Sequence, residues 1–163
     1  MKKRGMISSA VALVLAVPVA AWGLMGQQNA EGVPASELDH AYQPWGVGDG
    51  TAAVIGAVAL VLAAAGATVL VRGARGGDLD RRWWGVLGPL VVVGLVAGVG
   101  WRILTAGVIG ANIGAGLLIM LGTPIVAALL LWALGRGVWL ATRGRGDGGA
   151  RPGGLGGIAP RGV

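Results

Sequence analysis

The stretch TAAVIGAVALVLAAAGATVLV, residues 51–71, carries no charge and no polar side chain beyond two threonines. A helix needs about 20 apolar residues to cross a hydrocarbon core roughly 30 Å thick, and this run meets that length unaided. Ala52 and Gly56, then Ala59, Ala63 and Ala67, recur at intervals of four. Small residues so spaced line one helix face and let helix backbones approach closely in lipid.

Outward from this run, the charges separate by sign. On its C-terminal side stand Arg72, Arg75, Arg81 and Arg82, diluted only by Asp78 and Asp80. On its N-terminal side residues 26–50 have no Lys or Arg but carry Glu31, Glu37, Asp39 and Asp49. Lys2, Lys3 and Arg4 open the chain, and Arg136, Arg143, Arg145, Arg151 and Arg161 close it. Basic residues thus fall on alternate connections, the positive-inside pattern of a protein crossing a membrane several times. The reading places the N-terminus, the loop 72–83 and the C-terminus in the cytoplasm, and the loop 26–50 outside.

The predicted fold class is all-α, an integral membrane four-helix antiparallel bundle with N-terminus and C-terminus cytoplasmic. Residues 1–5 form a basic N-terminus and residues 6–141 the transmembrane domain, with spans at about 6–25, 51–71, 84–104 and 113–141. A secretory signal peptide competes for the first span, with residues 1–4 as its basic region and Val19-Ala20-Ala21 as its cleavage site. The apolar run continues through Trp22, Leu24 and Met25, which favours a retained helix. In the external loop Ser36 and Asp39 have capping-box spacing, and Tyr42 and Trp45 suit the headgroup level.

Residues 103–134 are too long for one simple crossing and too short for two. A helical hairpin turning around residues 110–113 is expected, with a re-entrant element over 105–116 as the alternative. Gly122, Thr123 and Pro124 are positioned to bend the fourth span. Residues 142–163, rich in Gly with Pro and Arg, cannot bury enough apolar surface to offset ordering entropy and are expected to be disordered.

Composition narrows the function classes. With 55% apolar and 12% charged residues the chain is far from a soluble domain, where roughly 25% of residues are charged. The pI of about 11.4 arises from residues flanking apolar spans and not from a continuous basic stripe, so nucleic acid is not the expected partner. There is no Cys, which excludes disulfides, thiolate metal sites and cysteine nucleophiles. Eleven Arg against two Lys, 33 Gly and no Phe point to a GC-rich, bacterial genome and to the plasma membrane of such a cell.

Few residues are candidates for chemistry. Arg102 stands apart from the three basic clusters, at the far end of the third span. It reads as a snorkelling anchor, or as one half of a polar site with Asn112 that pairs with Glu37 or Asp39. Glu37, Asp39 and His40 form a weak external cluster, without the second His or helical ligand spacing of a metal site. Gly94 and Gly98, and Gly110 and Gly114, have the GxxxG spacing of helix-packing contacts. Arg145-Gly146-Asp147 spells an adhesion tripeptide on the cytoplasmic side, where composition accounts for it. No nucleophile, acid–base pair or cofactor motif is recognisable, so no enzyme and no cofactor are expected. The expected function is a non-enzymatic accessory subunit or homo-oligomer working through helix contacts, with basic loops touching anionic lipid headgroups. A small transporter or channel using Arg102 and Asn112 is the alternative.

Overall fold

The computed structural model describes residues 3–34, 37–38, 40–108 and 111–146. Ser36, Asp39, Gly110, Asp147 and the rest of the tail lie outside the described residues. The described chain is helical, with no strand: α1 (Lys3–Met25), α2 (Asp49–Arg75), a 3-10 turn (Arg81–Trp83) leading into α3 (Trp84–Leu104), α4 (Ala111–Leu117), a π-helical segment (Leu118–Gly122) and α5 (Thr123–Gly146). Four stretches are long and apolar enough to span a membrane: Arg4–Met25, Asp49–Arg75, Arg81–Leu104 and Ala111–Thr142. Helix is the local answer because no water in a bilayer core satisfies backbone N–H and C=O groups.

Side-chain sizes are arranged inside out relative to a soluble domain. Ala52, Gly56, Ala59, Ala63 and Gly66 of α2 are buried, whereas Val61 is 67% exposed and Leu131 on α5 is 71% exposed. Lipid tails solvate large aliphatics as well as protein does, so close packing of small residues is what distinguishes the interior. The core joins Leu13, Ala16, Val17 and Ala20 of α1 to Ala59, Ala63 and Leu70 of α2 and Leu87 of α3.

Contacts between helices give the order α2–α1–α3–α5. Helix α1 packs on both α2 and α3, and α5 packs on α3 without a comparable contact to α1 or α2. The four long helices therefore stand in a row. Gly56 meets Gly23, Gly66 meets Ser9 and Leu13, and Gly73 meets Met6, so α1 and α2 are antiparallel. Gly94 faces Val17 and Pro18, and Gly98 faces Pro18, Ala21 and Trp22, so α1 and α3 run parallel. In an apolar window of 18 residues within each stretch, only 6% is buried in the fourth, against 28%, 28% and 33% in the first three.

The stretch 103–134 resolves as an end to α3 at Leu104, a connection through Thr105, and a continuous helical run from Ala111. Ala111, Asn112 and Ile113 of the expected turn lie in that run, and Gly110 lies outside the described residues. The helix continues to Gly146, beyond the expected start of the tail at Thr142. The π-helical segment lies immediately before Thr123-Pro124. A proline removes one N–H and crowds the carbonyl four residues earlier; here that residue is Met120, inside the widened turn. The π segment thus includes the carbonyl that a proline at 124 leaves without its usual donor.

Candidate functional site

The site lies at the end of the row where α1 and α3 finish and α2 begins, beneath residues 26–48. A helix leaves its last four carbonyls without intrahelical partners and concentrates partial negative charge there. Two such C-termini, of α1 and α3, meet here side by side because those helices are parallel.

Arg102 serves the first. Its Nε donates to the Trp22 carbonyl at 2.7 Å, and its Nη1 donates to Gln27 Oε1 at 2.8 Å. The guanidinium carbon sits 4.7 Å from the Trp22 ring centroid, within cation–π range. Arg102 is 3% exposed. It is turned inward onto α1 and does not reach out as a snorkelling anchor. Its Nη2 is buried and has no hydrogen-bond partner.

Loop side chains serve the second. The Thr105 carbonyl accepts from Gln27 Nε2 and from His40 Nδ1 at 3.1 Å, which places the proton of that imidazole nitrogen on Nδ1. The Leu104 carbonyl accepts from the Tyr42 N–H at 3.0 Å. Thr105 Oγ1 donates back to the Trp101 carbonyl at 2.8 Å. Gln27 joins both halves, its Oε1 accepting from Arg102 and its Nε2 donating to Thr105, and its own N–H donates to Asp49 Oδ1 at 3.0 Å, tying in the first turn of α2. Gly26, with φ of 69°, makes the left-handed exit from α1 that brings Gln27 into place.

Gly107 anchors the loop. Its N–H donates to the Gln28 carbonyl and its carbonyl accepts from the Ala30 N–H, both at 2.9 Å. A Cβ at this position would lie 2.5 Å from His40 Cε1 and 2.8 Å from Asn29 Oδ1. Gly107→Val is therefore expected to cost about 2 kcal/mol through overpacking, and to make residues 26–48 more sensitive to protease. Unchanged thermal unfolding in detergent together with unchanged cleavage would contradict this.

Trp45 of the loop lies between Trp22 and Trp101, with ring centroids 6.2 Å and 4.8 Å away. The three indoles and Pro18, Val19, Ala97 and Gly98 line a groove beside Arg102. The structure unites Arg102 with residues the sequence reading did not select: Gln27, Asp49, Thr105, Gly107 and the backbone of Trp22. Asn112 occupies an exposed position on α4, and the recorded partners of Arg102 are Trp22 and Gln27. Glu37 is exposed, and His40 is engaged with Thr105. Among the described residues no group of three His, Cys, Asp or Glu side chains is placed to hold a metal ion.

Gly94 and Gly98 are pressed against α1 of the same chain, whereas nothing approaches Gly114 more closely than Ile103 Cγ2, 3.7 Å from where a Cβ would lie.

These features define a helical chain with four stretches able to span a membrane and a polar network that caps two helix ends. Comparison with protein-family models, with curated proteins and with solved structures finds no match to this chain.

Proposed function

We propose that this chain is a non-enzymatic, multi-pass protein of a bacterial plasma membrane that works by packing its helices against a second copy or another membrane protein. Both termini are cytoplasmic in this reading, supported by the alternation of basic and acidic connections. The observation that carries the packing role is the open end of the row. Helix α5 touches the rest of the chain mainly along α3. Beside it runs an apolar groove lined by Gly100, Leu104, Gly122, Ala127 and Leu130 among others. Small residues in such a groove suit the close approach of a further helix. The stripes on α2 and α3 do not offer this, since α1 already covers them.

Because the chain has no Cys, a single introduced thiol reports contacts cleanly. In native membranes Leu130→Cys is expected to cross-link to a second copy or to one discrete partner, while Val61→Cys on the lipid face of α2 stays monomeric. Absence of any Leu130→Cys adduct, or equal cross-linking from both positions, would sink the proposal. A small transporter or channel is the second reading, favoured by the unpartnered Nη2 of the buried Arg102.

A further inference from the structure

Arg136 lies inside the fourth apolar stretch, Ala111–Thr142, rather than beyond it. Its side chain crosses to α3 and occupies the space left by Gly85. A Cβ on residue 85 would collide with Arg136 Nε and lie 2.9 Å from Cδ and 3.2 Å from Cζ. Nε is buried without a hydrogen-bond partner, and the guanidinium forms no ion pair among the described residues. A glycine slot therefore holds a cation whose buried Nε has no acceptor among the described residues. An ionised group in apolar surroundings is costly unless it is paired.

The surroundings indicate the acceptor. Trp132 and Trp139 stand one turn before and one turn after Arg136 on the same face of α5. With Leu131 and Gly135 they line a concavity of ≈ 400 Å³ that includes Arg136. Helix α5 also contacts the 3-10 turn Arg81–Trp83. The nearby carboxylate of Asp80 is engaged with the Arg82 N–H at 2.9 Å within its own turn. Indoles concentrate at the headgroup level of a bilayer, and a guanidinium matches phosphate oxygens in a bidentate manner.

We propose that the Arg136 slot binds the phosphate of an anionic phospholipid, whose acyl chain lies along Leu131 and Trp132. Arg136 itself sets the preference for a net negative headgroup over a zwitterionic one, whose own ammonium already offsets the phosphate charge. This rests on the chain spanning a membrane and is independent of the α5 packing role.

The test is native mass spectrometry of the full chain in a mild detergent, titrated with phosphatidylglycerol or phosphatidylcholine. Phosphatidylglycerol is expected to bind at least about fivefold more tightly, the order of one well-placed basic contact. Arg136→Gln is expected to abolish that preference and Arg136→Lys to keep part of it, while Arg72→Gln on distant α2 leaves it intact. Equal binding of the two lipids, or an unchanged preference in Arg136→Gln, would overturn the proposal. Displacement of the lipid by excess inorganic phosphate would overturn it too, by identifying a free anion as the ligand. Should Arg136→Gln fail to fold, brominated lipids decide the matter on the unaltered chain. Stronger tryptophan quenching by brominated phosphatidylglycerol than by brominated phosphatidylcholine supports the slot, and equal quenching rejects it.

Discussion

Arg102→Met is expected to destabilise the folded chain by about 3 kcal/mol, the loss of two hydrogen bonds from a charged donor offset in part by relief of desolvation. The substitution leaves the Trp22 carbonyl and Gln27 Oε1 without their donor at a part-buried position. It also removes the cation from the Trp22 ring. Arg102→Lys is expected to recover less than half of the loss, because an ammonium is a point charge and cannot span both acceptors as the guanidinium fork does. The measurement is reversible unfolding in mixed detergent, followed by tryptophan fluorescence. A second comparison isolates the network. Gln27→Met is expected to cost less in the Arg102→Met background than alone, since bonded partners are coupled. Additive effects, or a wild-type midpoint for Arg102→Met, would show that the network contributes little.

The other large effect is expected at the α1–α2 crossing. Gly56→Val should cost roughly 3 kcal/mol or more, at the upper end for overpacking. A Cβ on residue 56 would lie 2.8 Å from the carbonyl carbon and the Cα of Gly23 and 2.8 Å from the Leu24 nitrogen. These are backbone atoms, so no rotamer change makes room. Residue 23 is already glycine, so no smaller partner can compensate. The helices must separate along the whole contact, which carries much of the core. Gly116→Val is the control, because nothing lies within 4 Å of a Cβ there. Equal midpoints for the two variants in the same titration would contradict the close crossing.

The sequence made the helices legible and their neighbours obscure. Residues 51–71 and 84–104 announce themselves by apolar length alone, a signal the bilayer enforces through backbone hydrogen bonding. Small-residue spacing marked faces on α2 and α3 but not what they face. Both proved to be opposite α1, whose Ala16, Ala20 and Gly23 are as small as theirs. The row follows from that shared target, and no property of α2 or α3 taken alone shows it.

The site was legible in one residue. Arg102 stood out because it broke the charge partition. Its chief acceptor is a main-chain oxygen, and every residue has one, so nothing in the letter Trp22 signals it. Gln27 is an ordinary loop residue until Gly26 turns it back across the helix ends. Trp45 was assigned to the headgroup level from its type, and its placement between Trp22 and Trp101 depends on a loop path that no local pattern encodes.

The position of α1 in the row bears on how the chain is assembled. Polypeptides emerge N-terminus first, so the helix that touches both α2 and α3 is made before either of them. It offers one flank to α2 and the other to α3, with α5 at the open edge. Cutting the chain after Ala21, as a leader peptidase would, removes the surface on which the two later helices are aligned. Arg102 would then close on the Trp22 stub of a helix no longer attached.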